Sequence, residues 1–130
     1  MIEIKNTYNI QILSPKILRA NKNFMFRSNC LTFNNFLEVF CILLSPSDFK
    51  KFSSLHSIEN KWMWGVDFLF GHFNIITAVY NKFEVLHVLR SKSNQKEALE
   101  CLDNYLKKNG FSSFEEITNK YEPIYKKINI

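Results

Sequence analysis

One carboxylate stands in unusual company. Asp67 lies in the run Lys61-Trp62-Met63-Trp64-Gly65-Val66-Asp67-Phe68-Leu69-Phe70, and Val85-Leu86-His87 follows further along the chain. An unpaired carboxylate buried among aromatics costs several kcal/mol, so something must bind or satisfy it. As chemistry, Asp67 is a candidate general base, or a group that orients a substrate hydroxyl in an apolar cleft. As structure, it is a first-turn Asp on a buried helix, satisfied by free backbone N–H groups and gaining about 0.3–1 kcal/mol from the helix dipole. His87 could give a neutral imidazole to a divalent ion. Equally, it is a hydrogen-bonded core residue sharing a strand face with Phe83, Val85 and Leu89. Arg90 could grip a phosphate or carboxylate with both arms of its guanidinium, or simply end a strand at the surface. Trp62 and Trp64 could form a stacking wall for a sugar or a base, or belong to the core.

Much other chemistry lacks its residues. The only glycines are Gly65, Gly71 and Gly110, so there is no Gly-rich phosphate loop. No Gly-x-Ser-x-Gly elbow anchors a serine hydrolase, and no His-x-x-x-His or Cys-x-x-Cys spacing indicates a zinc site. The three cysteines are Cys30, Cys41 and Cys101, with Cys41 inside an apolar run. Buried free thiols in a reducing compartment are expected, hence a cytoplasmic location. The N-terminal residues carry no apolar core of signal-peptide length. The longest unbroken apolar stretch, Val39 to Leu44, falls far short of the ~20 residues a membrane span needs, so no transmembrane segment is expected.

The net charge of +5 is spread over Lys16, Arg19, Lys22 and Arg27, then Lys107, Lys108, Lys120, Lys126 and Lys127. A mildly basic surface favours anionic partners such as nucleotides and phosphates. Its dispersal, with no basic-aromatic repeat, points away from nucleic acid. With 46% hydrophobic and 15% aromatic residues in 130, the chain is one globular domain with a real core.

The elements that would position Asp67 and His87 can be placed from pattern. Residues 1–13 suggest a strand ending at Ser14-Pro15, and residues 16–35 are polar and irregular, with Phe24 and Phe26 alternating. Residues 36–44 form a dense apolar run expected as a buried strand. Ser45-Pro46, with Asp48 in the first turn, opens a helix expected to turn Phe49, Phe52 and Leu55 inward. Residues 62–73 are apolar nearly all round and suggest a buried helix starting near Trp64-Gly65. Two strands, 75–79 and 83–89, follow, with a turn or bulge at Asn81-Lys82. The clearest helix runs over 93–109, capped by Ser93, striped by Ala98, Leu99, Leu102, Tyr105 and Leu106, and stopped by Gly110. A last helix opens at Ser112, with Glu115 closing a capping box, and Pro123 ends it. This order indicates an α/β or α+β layer fold.

The succession Phe36-Leu37-Glu38-Val39-Phe40-Cys41, the Ser45-capped helix, Trp64-Gly65-Val66-Asp67-Phe68 and Val85-Leu86-His87 resembles a bacterial group of glycosyltransferases of GT-A type. There an F-V-E-V-M strand precedes G-W-G-L-D-W and a strand ending V-x-H-T-R-P. Leu13-Ser14-Pro15 and Gly110-Phe111 look similar too, so the likeness covers roughly residues 10–115, the C-terminal half of that fold. The resemblance implies transfer of a sugar from a nucleotide-sugar donor to a glycan acceptor, with a divalent metal, Mn or Mg. It puts the base on Asp67 and a metal ligand on His87, and with them the substrate contacts expected from residue type fall on Trp62, Trp64 and Arg90.

There are departures. Where the family has Asp before the histidine this chain has Asn81, and Leu89 replaces the expected arginine, which comes one place later as Arg90. The nucleotide-binding half, with its Asp-x-Asp, is not represented, since the only aspartates are Asp48, Asp67 and Asp103. The expectation is therefore a truncated enzyme, inactive alone, or a non-catalytic module that binds a partner chain.

Overall fold

The computed structural model describes residues 1–18, 30–34, 37, 39, 41–61, 63–86, 95–120 and 126–129. It is a mixed α/β fold. Helix α1 (Ile2–Thr7) leads into strand β1 (Ile12–Leu18), followed by β2 (Cys30–Asn34), α2 (Pro46–Ser53), β3 (Thr77–Leu86), α3 (Gln95–Lys108), α4 (Phe114–Lys120) and β4 (Lys126–Asn129). The four strands form one sheet in the order β1-β3-β2-β4. β1 runs parallel to β3, while β2 is antiparallel to both β3 and β4.

Several expectations are corrected. The N-terminus is helix and then strand, and Ser14-Pro15 lies inside β1 rather than ending it. Proline is tolerated because β1 is an edge strand, and the pairing register with β3 shifts between Pro15 and Lys16. The strand expected over 36–44 does not form among the described residues of that run. Leu37 is buried and Leu43 makes one antiparallel bridge to Leu13, but Cys41 is exposed. The sheet instead takes Cys30–Asn34, which lies in the stretch expected to be irregular. Its pairing to strands on both sides decides the matter, and a run of apolar residues alone does not.

The helix after Ser45 forms with the expected cap. Asp48 N–H donates to Ser45 Oγ at 3.1 Å, and Ser45 Oγ–H donates back to the Asp48 carboxylate at 2.6 Å. Only part of its expected inner face turns inward: Leu55 is buried just past the helix end, but Phe49 is 58% exposed. β3 is one strand rather than two. Its irregularity spans Asn81, Lys82 and Phe83, since Pro15 pairs with Tyr80 and Lys16 with Glu84. In α3, Ala98, Leu102, Tyr105 and Leu106 face the core but Leu99 is 56% exposed. The expected cap of α3, Ser93, lies outside the described residues, as do Phe24, Phe26 and Pro123. The capping of α4 sits one residue later than expected: Glu116 N–H donates to Ser113 Oγ at 3.1 Å, and the Glu116 carboxylate accepts from Ser112 N–H at 2.7 Å.

The sheet separates two cores. On one face Leu13, Leu31, Ala78 and Tyr80 pack with Ile10 and, through Ile4, with α1. On the other, Ile12 and Val79 meet a larger cluster that includes Val66, Leu69, Phe70, Leu102, Leu106 and Ile117. Each such side chain contributes about 1.5–3 kcal/mol by leaving water. Lys5 of α1 reaches past the first core to Asp48 of α2 at 2.6 Å, with side chains only 9% and 19% exposed.

Candidate functional site

Asp67 sits on a short 3-10 turn, Val66–Leu69, where sequence pattern suggested a longer buried helix. The backbone gives the reason. Met63 has φ 55° and Gly65 φ 77°, both in the left-handed region, so no regular helix begins before Val66, and Asn74 at φ 52° closes the segment at its other end. Gly65 is required twice over. Its φ favours glycine, and a Cβ there would stand 2.2 Å from Leu102 Cδ1. Fully buried Asn60 fixes the approach, its amide donating to Trp64 O at 2.6 Å.

The turn is anchored on one side and open on the other. Val66 and Leu69 are fully buried, as is Phe70 beyond them, while Asp67 and Phe68 are half-buried. Phe68 meets Phe114 of α4 edge-on, with ring centroids 4.6 Å apart. Asp67 is thus held between two locked residues at the protein surface. It is neither the fully buried charge that the sequence run suggested nor a loose surface group. A carboxylate so placed can accept hydrogen bonds from a ligand's hydroxyl without first being desolvated at full cost. Trp64, three residues before it, is half-buried and packs against the helix-side core.

Trp62, His87 and Arg90 lie outside the described residues, so of the expected site only Trp64 and Asp67 are placed, Asp67 on the Val66–Leu69 turn and Trp64 just before it. Among the described residues no group of three or more His, Cys, Asp or Glu could hold a metal ion. No helix among them is long and apolar enough to cross a membrane.

Sequence pattern missed a buried polar seam on the helix-facing side of the sheet. Ser14, Thr32, Asn34, Thr77 and Asn81 are all at most 8% exposed. Thr77 Oγ1 donates to Asn34, whose backbone oxygen lies at 2.5 Å and side-chain oxygen at 2.9 Å. Asn81 Nδ2 donates to Cys30 Sγ at 3.0 Å, and its Oδ1 is buried with no partner among the described residues. The signal was present as polar residues at alternate positions 30, 32 and 34, but that pattern ordinarily marks a solvated face. Asn81 is itself only 6% exposed within this seam. A neutral amide suits a place this dry, where an ionised carboxylate would carry a large desolvation penalty.

Compared with protein-family models, curated proteins and solved structures, the chain matches none.

Proposed function

We propose that this chain is the acceptor-side half of a GT-A-like glycosyltransferase, which binds a glycan acceptor and does not transfer sugar unaided. The reading is supported chiefly by the presentation of Asp67: a glycine-opened turn, pinned by Val66 and Leu69, holds one carboxylate half-buried at the surface, three residues after Trp64. In this reading the carboxylate accepts a hydrogen bond from an acceptor hydroxyl and takes its proton as that oxygen attacks the sugar carbon. The face of Trp64 would carry the sugar ring. The donor, a nucleotide sugar, would be held by residues not represented among Asp48, Asp67 and Asp103, on a complementary half. A divalent ion, if one serves the donor diphosphate, finds no three-ligand cluster among the described residues, and no step is derived through it.

The test is calorimetric titration of a glycan panel into wild type and Asp67→Asn. Saturable binding to one glycan class, weakened about tenfold or more in the variant with an unchanged melt, is the expected result. No binding by any glycan overturns the reading. A loss of stability well beyond the ~1 kcal/mol of a dipole contact would return Asp67 to a purely structural role.

A second reading, a non-catalytic module that docks on a partner chain, is favoured by one specific observation. Beyond its pairing with β2, β3 continues alongside β1 and exposes Phe83, Val85 and Leu86 at 46%, 37% and 48%. Apolar side chains grouped on a strand suit a protein partner, here one supplying the nucleotide-binding half. Phe83→Ser with Leu86→Ser would then abolish a complex seen by light scattering while leaving glycan binding intact.

A further inference from the structure

A cavity of about 360 Å³ opens where the C-terminal ends of α2 and α3 meet the segment entering β3. Its volume falls within the range of small-molecule sites. Leu55, Ile75 and Tyr105, all buried, and half-buried Phe73 provide apolar and aromatic walls. Three exposed basic side chains stand at the rim: Lys51, His56 and Lys108. None of the described residues lining it is acidic.

The sign of the field there follows from counting charges. Two helix C-termini bring about half a negative charge each, and Lys51 and Lys108 bring two full positive ones. The carbonyls at those helix ends already have donors. Lys50 O accepts from Ser54 N–H, Phe52 O from Leu55 N–H, and Leu106 O from Phe111 N–H. Tyr105 adds no negative charge: burial pushes its phenol up, so it stays neutral, and its hydroxyl donates to Leu55 O. The cavity is therefore cationic at its mouth, and its inner wall is apolar at Leu55, Phe73 and Ile75 and polar at Ser57.

We propose that this cavity binds a phosphate monoester carrying a small aromatic body, the phosphate between Lys51 and Lys108 and the ring against Phe73 and Ile75. Two ammonium groups match a dianion better than a single carboxylate, and the apolar part of the wall rewards a ring that a bare anion lacks. The site shares no residue with the Asp67 turn, so it stands or falls independently of sugar-acceptor binding.

Phenyl phosphate, inorganic phosphate and phenol, each titrated into the full chain and followed by amide chemical shifts, test it. Phenyl phosphate should bind saturably, shift amides in residues 51–57 and 105–109, and bind about tenfold or more tightly than either fragment. Lys51→Gln with Lys108→Gln should weaken it by about tenfold or more. Both lysines are exposed, so the melt should fall only slightly, by what two basic residues in the last turns of α2 and α3 contribute. Shifts that never saturate, equal affinity for inorganic phosphate, or undiminished binding in the double variant would each overturn the proposal.

Discussion

The two faces of the sheet solve burial in different ways. Towards α1 the strands present Leu13, Leu31, Ala78 and Tyr80, an apolar surface whose demand is mainly volume. Towards α2, α3 and α4 the same strands present Ser14, Thr32, Asn34, Thr77 and Asn81 beside Ile12 and Val79, although the core above them is the larger one. An apolar face tolerates small shifts in packing. A buried polar face does not, because a one-residue slip turns every hydroxyl and amide away from its partner. The helix-side seam therefore fixes the register of β2 on β3, and the α1 face supplies burial.

Truncation on the apolar face should give the largest effect. Leu31 is fully buried, and Leu31→Ala should cost about 2–5 kcal/mol in urea unfolding, with the slope unchanged. On the seam, Thr77→Val keeps shape but strips the donor from Asn34. It should cost about 1–3 kcal/mol, the desolvation of acceptors left unpaired. If Thr77→Val proved neutral while Leu31→Ala was severe, the seam would not specify register and the contrast between the faces would collapse.

The smallest effect concerns the link between the two sides, Lys5–Asp48. Burial pushes the Asp48 carboxyl up. The hydrogen bonds from Lys5 and Ser45, with the Lys5 charge, together outweigh it and hold the carboxyl below its ordinary 3.8. A carboxyl lowered in the folded state stabilises above its unfolded pKa, and that contribution is lost as pH falls through the folded value. Asp48→Asn should therefore cost about 1 kcal/mol at neutral pH, between an exposed and a fully buried pair. The gap from wild type should close as the pH is taken below 3.8. A gap that stays constant with pH would show that the cap, and not the ion pair, carries the effect.

Local signals in the chain were legible where a few neighbouring residues decide the structure. Ser45, Pro46 and Asp48 specify the start of α2, Gly110 at φ 84° ends the turn after α3, and Asn81-Lys82 marks the irregularity of β3. The Asp67 turn was half legible. Its residues stood out, but a pattern of apolar side chains cannot report that Met63 and Gly65 have positive φ, so a helix was expected where a short turn forms. The cationic cavity was not legible at all, since Lys51, His56 and Lys108 come together only when two helix ends converge.

What the sequence by itself determined is the class of fold, the helix starts and stops, and the identity of the one conspicuous carboxylate. Tertiary structure alone decided which runs became strands. Residues 30–34 enter the sheet because β3 and β4 pair with them on both sides, while the more apolar run over 36–44 contributes one bridge among its described residues. It also decided that polar residues at alternate positions face inward. The physical reason is the same in both cases. Backbone and side-chain hydrogen bonds inside a protein depend on partners distant in the chain, and no local pattern of residue types records where those partners will be.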